Sequence, residues 1–221
     1  MLDKIKGKLI VSCQALPDEP LFSSYIMSRM SVAAKEGGAV AIRAQSKEDI
    51  LEIEKVCELP IIGIVKRNYE GSEVYITPTK KEVDELLETG CEMIALDATK
   101  RIRPHGEKLQ DLVDTIHQNN RLAMADCSTL EECIEAEKLG FDVVSTTLCG
   151  YTSYSENIDG PNFDLLKEVA KSVHVPLIAE GKINTPEDLA ACIELGAYAV
   201  VVGGAITRPK QITERFVNAL K

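Results

Sequence analysis

Lys66 closes the apolar run Pro60-Ile61-Ile62-Gly63-Ile64-Val65, and Glu180 closes a second one, Leu177-Ile178-Ala179. An amine and a carboxyl at the ends of buried strands are the two kinds of group that acid–base chemistry at carbon requires. A lysine in that position reaches bulk water poorly, so burial and nearby cations lower its pKa from the reference of about 10.4. Bringing it near neutrality costs on the order of 4 kcal/mol. That is the tuning a general base needs.

Next to Glu180 stands Gly181, and the run Ala199-Val200-Val201-Val202 ends in Gly203-Gly204. Without side chains, backbone N–H groups at such turns approach an anion unobstructed. Arg208 follows at the head of the last helical segment, where a cation and a helix N-terminus both favour a phosphate. Residues 176–209 therefore read as a phosphate grip split between two adjacent loops. The same three glycines also read as ordinary tight-turn residues.

Eight short β-rich runs must carry these groups: Leu9–Ala15, Ala39–Ala44, Ile61–Lys66, Met93–Thr99, Arg121–Cys127, Val143–Leu148, Leu177–Glu180 and Ala199–Gly203. Helical spacing fills the intervals, as at Ile50, Ile53 and Val56 or Val83, Leu86 and Leu87. A phrase recurs in which a helix end, a glycine and a strand follow one another: KEGGAVAI, LETGCEMIAL, EKLGFDVVS and IELGAYAVVV. STLEECIEAEKLGFDVV and NTPEDLAACIELGAYAVVV align almost residue for residue, the mark of a repeated βα unit. Eight such units predict a (β/α)8 TIM barrel, one α/β domain over residues 1–221 with a parallel eight-stranded barrel. An open doubly wound sheet is the alternative, but no G-x-G-x-x-G follows the first run. Stretches 15–24, 67–79 and 100–106 exceed the usual loop length, and all lie at the strand C-termini where barrel enzymes keep their chemistry.

Side chains alternate along a barrel strand, so with Lys66 inward, Ile62 and Ile64 are inward too. By the same parity Arg43 joins Ala41, Asp97 joins Ala95, Asp126 joins Met124 and Leu122, and Glu180 joins Ile178. Gln14, Arg43, Lys66, Asp97, Asp126, Thr147 and Glu180 then ring the barrel mouth. Unpaired charges at such places are costly, and a purely structural rim needs none of them. Arg43 with Asp126 or Asp97 also reads as an ion pair closing the barrel, and Thr147 as a hydroxyl satisfying a carbonyl.

The net charge of -10 argues against nucleic acid or an anionic membrane surface as partner. Seven cysteines without a C-x-x-C fit reduced, buried usage, and the start MLDKIKGK has no apolar leader. A cytoplasmic location is expected. His105, His117 and His174 form no metal-ligand pattern, and no cofactor fingerprint is present, so neither metal nor cofactor is expected. The last helix, expected over Gln211–Lys221, carries Ile212, Phe216, Val217 and Leu220 on one face. It either completes its own barrel or docks on a second copy, and a homodimer is the expected assembly.

With these residues assembled, the chain resembles the N-acetylmannosamine-6-phosphate 2-epimerase family over nearly its whole length. GKLIVSCQALPDEPL, AVAIRAQ, PIIGIVKR, ALDATKRIRP, MADCST, STTLCGYT, IAEGKINTPED and VVVGGAITRP carry the resemblance. It implies cofactor-free interconversion of N-acetylmannosamine 6-phosphate and N-acetylglucosamine 6-phosphate, a step in sialic acid breakdown. It implies that Lys66 and Glu180 are catalytic and that Gln14, Arg43 and Asp126 hold the sugar. Asp97, Thr147 and Tyr151 complete the expected sugar set. Gly181, Gly203, Gly204 and Arg208 are implied at the phosphate, with Lys182 beside them. In this reading Lys66 removes the C2 proton, Glu180 or a water it positions assists, and backbone donors with Arg43 stabilise the developing oxyanion. Two other readings stay open: a Schiff-base lyase or aldolase using the same lysine, and a non-catalytic phosphosugar-binding barrel.

Overall fold

Caps set the rhythm of the chain. Thr129 opens helix α6 (Leu130–Lys138) and Thr185 opens α8 (Pro186–Glu194), with Pro186 at the first helical position. Each hydroxyl accepts from a backbone N–H three residues on, Glu132 at 3.4 Å and Asp188 at 3.0 Å. The side chains of Glu132 and Asp188 accept in return from the cap N–H groups, so both repeated phrases start with the same reciprocal box. Both phrases end alike, Gly140 and Gly196 turning the chain out of its helix at φ 88° and 107°.

The computed structural model describes residues 1–220, and its eight parallel strands close a barrel in sequence order. They are β1 (Leu9–Cys13), β2 (Ala41–Gln45), β3 (Ile61–Ile64), β4 (Met93–Asp97), β5 (Leu122–Asp126), β6 (Val143–Ser145), β7 (Leu177–Glu180) and β8 (Ala199–Val202). Closure is made by β1 and β8, with Leu9 opposite Val200 and Val11 opposite Val202. Between and after the strands come α2 (Ser24–Glu36), α3 (Lys47–Glu54), α4 (Lys80–Leu87), α5 (Leu109–Gln118) and α7 (Phe163–Ser172), besides α6 and α8. The expected (β/α)8 barrel is therefore the fold.

Two apolar layers follow from strand parity. Ile10, Ala41, Ile62, Ile64, Ala95, Met124, Ile178 and Val201 fill the barrel interior, and Val11, Ile42, Ile94, Ala123 and Val200 pack against the helices. A short helix unforeseen in the sequence, α1 (Leu2–Ile5), plugs the opposite end: Ile5 is fully buried in the inner cluster. The chain ends in α9 (Gly204–Thr207) and α10 (Pro209–Asn218), while Lys221, the expected end of the last helix, lies outside the described residues. The apolar face of α10 does not complete the barrel, since Phe216 is 75% and Val217 49% exposed. No helix among the described residues is long and apolar enough to cross a membrane.

Candidate active site

Strand β3 stops at Ile64, two residues short of the expected end, because the chain there turns into a hairpin. Lys66 pairs with Ile76 in an antiparallel bridge, Thr77 N–H donates to the Val65 carbonyl at 2.7 Å, and Arg67 N–H to that of Tyr75 at 3.0 Å. The returning arm is tied to the next strand, where Asp97 N–H donates to the Ile76 carbonyl at 3.0 Å. Loop 67–79 is thus fastened at its base, with Tyr75 and Ile76 beside the lysine.

These groups open on a cavity of about 610 Å³ at the C-terminal mouth of the barrel. Lys66, Gln14, Arg43, Thr147, Tyr151 and Glu180 line one part of it, and Gly181, Lys182, Gly203, Gly204 and Arg208 another. The strand termini bring together groups as much as 166 residues apart, from Gln14 to Glu180.

Charge on the floor is paired with care. Arg43, 1% exposed, donates to both carboxylate oxygens of Asp126, Nη1 to Oδ1 at 3.0 Å and Nη2 to Oδ2 at 2.6 Å. Its Nη1 also donates to Glu180 Oε2 at 2.6 Å. Thr147 Oγ1 donates to the same oxygen at 3.0 Å, and Ser145 Oγ lies 2.7 Å from Thr147 Oγ1 and 3.1 Å from Asp126 Oδ1. Glu180 Oε1 has no hydrogen-bond partner among the described residues. Burial, and then the Asp126 carboxylate, push the Glu180 carboxyl up to about 7 against the pull of Arg43.

Lys66 stands apart from this pairing. Its ammonium makes no hydrogen bond or ion pair among the described residues. Burial first, then the Arg43 and Arg208 cations, lower its pKa to about 8, outweighing the attraction of Glu180 and Asp126. An amine that is neutral in a sizeable fraction of molecules near neutrality is a base in waiting.

On the other flank, Gly181 sits at φ 110°, a conformation an L side chain rarely adopts. A Cβ on Gly204, the first residue of α9, would come within 2.6 Å of Gln211 Oε1. Arg208 reaches the cavity while held by Glu19, with Nε to Oε1 at 3.0 Å. Lys182 lines the cavity, but its ammonium bonds Asn157 and, at 2.7 Å, the Ile158 carbonyl, so it secures the loop after β6.

A profile of the NanE family, described as "Putative N-acetylmannosamine-6-phosphate epimerase", matches residues 27–221. The chain belongs to this family. It is 68% identical over 221 residues, all of both chains, to the "Putative N-acetylmannosamine-6-phosphate 2-epimerase" of Clostridium perfringens (strain SM101 / Type A). The protein of the same name from Clostridioides difficile (strain 630) is 61% identical, with 100% of this chain and 99% of that one covered. A solved structure of the N-acetylmannosamine-6-phosphate 2-epimerase from Clostridium perfringens superimposes with a TM-score of 0.98 at 68% identity, covering 99% of this chain and 96% of that one. A thiamine phosphate pyrophosphorylase from Pyrococcus furiosus, 18% identical with a TM-score of 0.64 over 96% of this chain and 92% of that one, shares the fold.

Within this NanE barrel two expected residues do not line the cavity. Asp126 lies beneath it, fully buried against Arg43. Asp97 turns into loop 98–103, its Oδ1 accepting from Thr99 N–H at 3.0 Å and its Oδ2 from Arg101 at 2.6 Å. His105 packs edge-on against Tyr69, centroids 5.5 Å apart, away from the cavity. Among the lining residues not singled out in the sequence are Ser12, Tyr75, Gln211 and Arg215. Ser12 was within reach of the parity rule, lying two residues before Gln14. The others sit on the hairpin and on α10, whose placement is not local.

Proposed function

We propose that this chain is a cofactor-free epimerase interconverting N-acetylmannosamine 6-phosphate and N-acetylglucosamine 6-phosphate by removing and returning the proton at C2. Neutral Lys66 takes the proton from the open-chain sugar, next to its aldehyde. Glu180, carrying a proton on its unpaired Oε1, supplies the opposite face or assists ring opening. The carrying observation is the lone Lys66 amine, unpaired and lowered to about 8, in one cavity with a carboxyl raised to about 7. Gly181, Gly203, Gly204 and Arg208 hold the phosphate, so binding energy from a non-reacting end orients the reacting carbon. The names of the 68% and 61% identical relatives support the same substrate. A place in sialic acid breakdown in the cytoplasm is part of the same proposal.

Turnover in heavy water tests this reading by proton NMR. Deuterium enters C2 with the native enzyme, and Lys66→Ala stops its entry while a phosphosugar still binds. Protium kept at C2 through complete epimerisation refutes the mechanism. A Lys66 adduct trapped by borohydride would instead establish the Schiff-base alternative.

A further inference from the structure

Abstraction of the C2 proton leaves its electron pair in the new C1–C2 double bond, and the carbonyl pair moves onto O1. Negative charge on O1 requires a donor already in place. Arg43 is poorly suited to be that donor. Both hydrogens of Nη1 are committed, to Asp126 and Glu180, one of the two on Nη2 is bonded to Asp126, and Nε is buried without a partner. Its charge acts on the cavity, but it is 1% exposed.

Tyr75 is placed differently. The antiparallel pairing of Lys66 with Ile76, and the bond from Arg67 N–H to its own carbonyl, hold it beside the lysine, and it lines the same cavity. Its ring is mostly shielded, and its hydroxyl has no hydrogen-bond partner among the described residues. Burial first, then the Asp126 and Asp97 carboxylates, oppose ionisation of the phenol, and it lies close enough to Arg43 to act on that guanidinium's charge. A neutral, unengaged O–H on the arm that pairs with the base can serve as that donor.

We propose that Tyr75 is a catalytic residue, donating a hydrogen bond to the substrate oxygen that becomes negative when Lys66 removes the neighbouring proton. The phenol keeps its proton throughout. When the proton returns to C2, the electron pair leaves the double bond for the new C–H bond and O1 regains its carbonyl. This inference rests on the proposed epimerisation, and deepens it.

Tyr75→Phe removes the hydroxyl and keeps the ring. Since the hydroxyl bonds to none of the described residues, thermal unfolding is expected to be unchanged. Loss of one such donor lowers kcat by about 100-fold. Exchange of the C2 proton with solvent slows by the same factor, and KM stays within about threefold. A phosphorylated hydroxamate that mimics the enolate loses affinity for Tyr75→Phe in parallel, whereas inorganic phosphate does not. Unchanged kcat, or a rise in KM alone, overturns the inference while leaving the role of Lys66 intact. Protium retained at C2 by the native enzyme through complete epimerisation overturns the proton-transfer reading itself, whatever Tyr75 does.

Discussion

Arg43 and Asp126, 83 residues apart in the chain, face each other through two parallel hydrogen bonds of 3.0 and 2.6 Å with both side chains sealed from water. The pair forms the floor on which Glu180 rests. Breaking it from one side leaves a buried guanidinium with only Glu180 for balance. Asp126→Ala is expected to cost about 3–5 kcal/mol in urea unfolding. A loss below about 1 kcal/mol would show that the pair is not needed to hold the barrel mouth.

The pH profile follows from two groups with opposite requirements. Lys66 works when neutral, so activity rises as pH passes about 8; Glu180 as an acid works when protonated, so activity falls as pH passes about 7. Because the acid lies below the base, the productive combination is a minority form, greatest near pH 7.5 and then roughly one molecule in twenty. A narrow bell in kcat/KM is expected. A rate still climbing above about pH 9 would remove Glu180 from the acid role.

Lys66 is held against its own preference. With its pKa lowered from 10.5 to about 8, the unfolded chain binds that proton more tightly, and folding loses stability as pH falls from 10.5 to 8. Lys66→Met should therefore raise stability at pH 7 by up to about 3 kcal/mol while abolishing activity. The gain should fade as pH rises from 8 toward 10.5. Thermal unfolding at two pH values decides it, and a variant no more stable than the parent at pH 7 would contradict the account.

Gly204 offers a test of the phosphate flank. A methyl there would meet Gln211 Oε1 at 2.6 Å, and that flexible side chain can swing aside, so the fold should survive. Crowding beside the backbone N–H groups should raise KM for the phosphorylated sugar about tenfold, near 1.4 kcal/mol, with kcat held. Steady-state kinetics check this, and an equal loss with an unphosphorylated sugar would place the phosphate elsewhere.

Much of this molecule is local and therefore readable along the chain. Parallel strands covered on both faces are unbroken apolar runs, and the capping residues and glycines of the two matching phrases mark where helices begin and end. Parity then assigned Lys66, Arg43 and Glu180 to the interior, since a period of two needs no knowledge of the partner strand. The family resemblance added roles that periodicity alone does not contain.

Only the closed barrel decided which ring charges neutralise one another. Asp97, Asp126 and Lys66 share one parity, yet Asp126 is consumed by Arg43 and Asp97 by Arg101, while Lys66 stays unpaired. That outcome depends on distances across the barrel and on burial, which makes an unpaired charge costly and a pairing decisive. The hairpin that carries Tyr75 beside Lys66 was hidden for a related reason. Its backbone hydrogen bonds join residues eight and twelve apart without a repeating apolar pattern, so nothing in residues 67–79 announces the fold-back.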